Sequence, residues 1–126
     1  MEKPEEIVDE LDRILPDEIK KRGTSWGNEL VLPYDEALQA IAVATQHQIA
    51  ILGFEAFEIT SEGLLTVDMA DASSYVPFTG DWKAYLNKMN QEGERWIRQH
   101  RFGEDHGYIL TSASEKEFAS LRRPSK

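Results

Sequence analysis

The stretch from Pro33 to Ala70 constrains the fold more than any other part of the chain, because a helical pattern runs directly into an apolar run and then a hairpin signal. In PYDEALQAIAVATQHQ, the residues Tyr34, Ala37, Leu38, Ile41, Ala42 and Thr45 recur at helical spacing and share one face, which Ala40 and Ala44 widen. Asp35, Glu36, Gln39, Gln46 and His47 form the polar side, and the two acids of the first turn suit the positive end of the helix dipole. IAILGFEAFEIT is too apolar and β-branched for a surface loop, SEG is a turn signal, and LLTVDMAD supplies a return strand. Strict alternation in that strand puts Leu65, Val67 and Met69 on a core face and Asp68 toward solvent. Gly53 is a candidate bulge that resets the register of the first strand. The expectation is a hairpin packed under the helix.

At 126 residues and 40% apolar composition the chain fits one domain with one core, and no Pro/Gly/Ser-rich linker divides it. No apolar run approaches the roughly twenty residues of a membrane span, and MEKPEEIVDE lacks the regions of a signal peptide, so a cytoplasmic protein is expected. The absence of cysteine excludes disulfides, thiolate catalysis and cysteine-ligated metal sites. Net charge is −9 and uneven: residues 1–80 carry 16 acids and 5 bases, the rest 7 acids and 9 bases. Such a surface disfavours nucleic acid and anionic membranes and attracts a basic partner, although solubility alone also accounts for it.

PEEIVDELDRIL presents Ile7, Val8, Leu11, Ile14 and Leu15 as one stripe, predicting a first helix ended by Pro16, with a short second one in PDEIKKR stopped at Gly23 (helices over 4–22). TSWGNELVLP is irregular or briefly extended. Trp26 there is either a core plug or an exposed anchor for a partner, and the small size of the domain favours the plug. ADASSYVPFTG is a loop carrying Tyr75 and Phe78, either a contact surface or a segment folded back on the core. From 81 to 100, Trp82, Tyr85, Leu86, Met89, Gly93, Trp96 and Ile97 form the stripe of a long helix with Asp81 as N-cap. GYILTSA is a short strand (107–112) that joins the hairpin; the intervening helix would allow it to lie parallel to one neighbour. Ser114 and Glu117 form a capping-box pattern for a last helix at 114–121, ahead of a basic tail. The fold class is therefore α+β: a small antiparallel or mixed sheet of about three strands packed against several helices.

Among chemical motifs, no phosphate loop, nucleophile elbow or metalloprotease helix occurs. His100, Glu104, Asp105 and His106 are metal-ligating types in a turn, but their spacing matches no metal motif. An acid–base pair could be assembled from Glu55 or Glu58 with Asp68 or Asp71; pairing of one of these acids with an arginine of the long helix is the alternative. No catalytic residue, cofactor or metal ligand is assigned.

The order DEALQAIAVA, IAILGFEAFEI, DWKAYLNKMNQEGERWI and GYILT resembles the small immunity proteins of bacterial polymorphic-toxin systems, in particular the family catalogued as immunity protein forty. The resemblance covers roughly residues 30–112 and rests on Leu52, Gly53, Glu55 and the tryptophan-and-tyrosine helix. It implies a non-enzymatic inhibitor that binds a cognate toxin and blocks its active surface, and it transfers no site residue. A nuclease toxin is basic, so an acidic inhibitor would meet it through electrostatic steering. Local acidity beside an aromatic loop makes Glu58, Asp68, Asp71 and Tyr75 the candidate partner-binding residues. The alternatives are an adaptor or regulatory interaction domain without a toxin partner and, further off, a small hydrolase or ligand-binding protein.

Overall fold

A computed structural model of the chain describes residues 10–26, 29–71 and 77–122, without the side chains of 71, 121 and 122. The stripe residues Ile7 and Val8, loop residue Tyr75 and the basic tail from 123 lie outside the described residues. The elements are α1 (Glu10–Ile14), α2 (Asp17–Lys20), β1 (Thr24–Trp26), β2 (Glu29–Val31), α3 (Tyr34–Gln46), β3 (Ala50–Thr60), β4 (Gly63–Asp71), α4 (Trp82–Gln99), β5 (His106–Ala113) and α5 (Glu115–Arg122). This is an α+β fold with a three-stranded antiparallel sheet in the order β4-β3-β5 and a separate two-stranded ribbon, β1-β2.

Pro16 separates α1 from α2, as its missing amide and fixed φ demand. The segment around Trp26 is the β1-β2 ribbon, with Trp26 opposite Glu29. The residue that follows the ribbon reaches the main sheet: Leu32 and Tyr108 exchange amide-to-carbonyl hydrogen bonds, each 2.8 Å, on the outer side of β5. β5 lies antiparallel to β3, so the parallel arrangement allowed by the sequence does not occur. Both β4 and β5 run against β3, and α4 crosses over β3 to connect them. The hairpin is thus covered chiefly by α4, while α3 packs on α4 and β5.

The long helix follows its sequence closely. Asp81 caps it, its carboxylate accepting from the Ala84 amide at 3.1 Å. Trp82, Tyr85, Leu86, Met89, Gly93 and Ile97 are buried. Gly93 allows a close approach: a Cβ there would sit 3.3 Å from Cε1 of Phe54 and 3.6 Å from Cδ1 of Ile41. Phe54 in turn lies 4.9 Å from Trp96, ring to ring, which seats α4 on the middle of β3. Phe78 folds back on the core, within 5.1–6.4 Å of the rings of Phe118, Tyr85 and Trp82. The last helix begins with a reciprocal capping box: the Ser114 amide donates to Glu117 Oε1 at 2.8 Å and the Glu117 amide to Ser114 Oγ at 3.2 Å.

The face of α3 is rotated from the one its sequence predicts. Glu36, Ala37, Ala40, Ile41 and Ala44 are buried, whereas Ala42 and Thr45 are exposed. Glu36 is drawn inward by an ion pair with Arg22, Nε to Oε2 3.5 Å, just beyond α2. Thr45 is held at the α3–α4 contact by Asn90, whose Nδ2 donates to Thr45 Oγ1 and to the Ile49 carbonyl, 2.9 Å each. Asn90 Oδ1 accepts from the Ile51 amide at 2.8 Å. One buried amide on α4 therefore pairs the backbone on both sides of the first residue of β3.

Candidate partner surface

The largest departure from the sequence reading lies in β4. Opposite β3 it pairs Ala70 with Phe54, Met69 with Glu55 and Asp68 with Ala56, but then Thr66 with Phe57 and Leu65 with Glu58. Val67 has no partner, so a bulge there reverses the alternation between the two halves of the strand. Phe54 and Ala56 face α4, whereas Phe57 packs with Val31 and Ile109 on the far face, joined by Ile59 and Leu64. It follows that Leu65 shares the α4 side with Asp68, while Met69 lies on the far side with Glu55. The predicted core face does not exist: Leu65, Val67 and Met69 are 60%, 45% and 59% exposed. Gly53 does accompany a bulge, in the β3–β5 ladder, where Leu52 is skipped.

β4 is an edge strand with large apolar side chains in solvent. The other exposed large hydrophobic residues among those described are Trp26 and Phe102. Trp26 is not a core plug. It sits over the β3–β4 turn, its ring 3.5 Å from the place a Cβ would take on Gly63. Phe102 leans on His106, ring centroids 4.9 Å apart, and His106 lies across from Glu58.

The end of α4 is tied to this edge. The imidazole of His100 stacks on Trp96 at 3.8 Å, its Nδ1–H donates to the Trp96 carbonyl at 2.8 Å, and Nε2 meets Asp68 Oδ2 at 2.7 Å. The hydrogen bond from His100, followed by one from the Met69 amide, holds the Asp68 carboxyl below its ordinary value. The Tyr108 hydroxyl donates to the His100 carbonyl. Arg101 lies 4.7 Å over the Tyr34 ring, which fixes the start of the following loop.

These contacts carry a pH prediction. A carboxylate depressed in the folded state contributes stability above its unfolded value of about 4, which is lost as pH falls through the lower folded value. A carboxyl-detected NMR titration should therefore place the Asp68 midpoint below the ordinary aspartate value of about 4, and His100→Gln should move it back up. An unmoved midpoint in that variant would show that the link contributes nothing in solution.

Of the four candidate partner residues, Glu58 and Asp68 share the α4 side of the sheet, near Leu65 and Phe102. Asp71 ends β4 opposite Gly53, with its side chain outside the described residues, as is Tyr75 altogether. The hairpin does not assemble an acid–base pair from Asp68 and Glu55, which lie on opposite faces, and Asp68 pairs with His100 in place of an arginine. His106 turns to Asp105 at 2.9 Å, apart from His100, and no group of three or more metal-ligating side chains occurs among the described residues. No helix among the described residues is long and apolar enough to cross a membrane. The period-two spacing of Leu65, Val67 and Met69 is that of a buried strand face; only the bulge and the edge position make them surface.

The site and fold together define an α+β domain with an acidic, partly apolar open sheet edge. Compared with protein-family models, curated proteins and solved structures, the chain has no significant match.

Proposed function

We propose that the chain is a non-enzymatic protein-binding inhibitor that neutralises a cognate bacterial toxin by covering its active surface. The observation that carries the protein-binding part is the β4 edge, where Leu65, Val67 and Met69 stand in solvent, Leu65 opposite Glu58 and Met69 opposite Glu55, on the strand that carries Asp68. Apolar anchors ringed by charge are the usual make-up of a protein interface, and acids of one sign favour a basic partner. The toxin part rests on the resemblance to polymorphic-toxin immunity proteins.

The direct test is co-expression with the product of the adjacent gene, which on this reading encodes the toxin, scored as cell survival. An interaction domain of another kind would bind without rescuing growth. Charge reversal at Glu58→Lys and Asp68→Lys is expected to slow association with the toxin by roughly tenfold to a hundredfold at low salt, with the gap closing as salt is raised. Association rates unchanged across both variants, measured by stopped flow, would remove this surface from the interface.

A further inference from the structure

We propose that β4 is extended by a basic strand of the protein partner, added in the plane of the sheet along the edge that no described strand occupies. The proposal rests on the protein-binding reading above and adds the manner in which the partner is held.

The sheet has two edges, and they differ. The outer side of β5 is met by Leu32 through paired backbone hydrogen bonds with Tyr108. No strand among the described residues pairs with the outer side of β4, which runs nine residues, a length of roughly 30 Å. Of the devices that guard natural edge strands, β4 has no lysine or proline, and its bulge at Val67 and the charged Asp68 lie in mid-strand, leaving segments on either side.

The bulge decides the shape of the occupant. By placing Leu65 on the α4 side and Met69 on the far side, it exposes large apolar side chains on both faces of one strand. A helix or a flat surface docked on one face would leave the other in water. A strand added to the edge sends alternate side chains to both faces and covers both residues. Pairing is expected on either side of Val67, where the edge ladder is interrupted.

Charge decides its chemistry. From Arg22 to Lys83 the chain has no lysine or arginine, and the β3–β4 hairpin carries Glu55, Glu58, Glu62, Asp68 and Asp71. A second copy of this chain would bring these acids against their own kind. A strand bearing lysine or arginine between its apolar residues is complementary to them.

The test follows backbone amide exchange by NMR in the full chain, with a peptide of about twelve residues that alternates valine and lysine as the probe. Controls are the same peptide with two central prolines and one with glutamate replacing lysine. The expected result is at least about tenfold slower exchange of β4 amides with the valine–lysine peptide only, with the methyl signals of both Leu65 and Met69 shifted. Leu65→Lys combined with Met69→Lys alters only exposed positions and should keep the melting temperature while abolishing the effect. Absence of protection, shifts confined to one face, or equal protection by the glutamate peptide would overturn the proposal. Protection that grows with protein concentration alone would overturn it in favour of a second copy. A double variant that still rescues cells from the toxin would refute strand addition and leave the inhibitor reading standing. Protection by the peptide without toxin rescue would retain the strand site and refute that reading.

Discussion

Replacing Asn90 with leucine is expected to destabilise the protein by about 3–5 kcal/mol, lowering its melting temperature on the order of 10–20 °C. The reason is the asymmetry of buried hydrogen bonds. Leucine has nearly the shape of asparagine, so little packing is lost, but the Ile51 amide and the Ile49 carbonyl lose their partner on α4. Ile49 and Ile51 are fully buried, so the amide and carbonyl left without Asn90 lie away from bulk water. A loss of that size is a large fraction of the roughly 5–15 kcal/mol that holds a domain of this kind together. Asn90→Asp provides a second, chemically distinct variant. Its carboxylate could still accept from the Ile51 amide but would face the Ile49 carbonyl with a negative charge. Burial raises its folded pKa, so stability lost at neutral pH should return as pH falls and the carboxyl protonates. Chemical denaturation of both variants at two pH values checks the account. A leucine variant that melts within about 3 °C of the parent would show that Asn90 is not a backbone partner in solution.

The second large effect is expected at Gly107, which faces Phe57 in the β3–β5 ladder. A Cβ at this position would lie 2.4 Å from Cγ1 of Val31, far inside the roughly 3.5–4 Å of carbon–carbon contact. Neither side can yield cheaply. Val31 is buried and β-branched, and the residues that follow Val31 and Gly107, Leu32 and Tyr108, are locked to each other by two hydrogen bonds. Gly107→Ala should cost about 2–3 kcal/mol, either as strain or as loss of the bridge that attaches the β1-β2 ribbon to the sheet. Val31→Ala removes the opposing methyl groups, so the double variant should be more stable than the sum of the single losses predicts, by about 1 kcal/mol or more. Simple additivity in that cycle, measured by denaturant titration, would contradict the steric explanation.

The elements readable from local sequence are those whose pattern and partners are close in the chain. Asp81 caps the long helix, the Trp82-to-Ile97 stripe is buried, and Ser114 and Glu117 close a capping box, because each depends on residues within a few turns. The hairpin was equally legible as a pair of strands. Its faces were not, since one unpaired residue at Val67 inverts the alternation, and nothing in LLTVDMAD distinguishes a bulged strand from a regular one. Trp26 failed for a related reason: ordinary burial statistics favour a covered tryptophan, and its exposure depends on where the short ribbon docks. The candidate surface is half visible in the sequence, as acids at Glu58 and Asp68, while the spacing of its apolar component matches that of a core face.

Sequence alone determined the α+β composition, the helix that spans the sheet, and the lack of basic residues through the central hairpin, since these are properties of residue type and spacing. Tertiary structure alone decided that β5 lies antiparallel to β3 on its other side, that β4 is left at an edge, and that His100 reaches back 32 residues to Asp68. Strand order and edge exposure arise from contacts between distant segments, whose free energy depends on the whole arrangement and is not written in any local pattern.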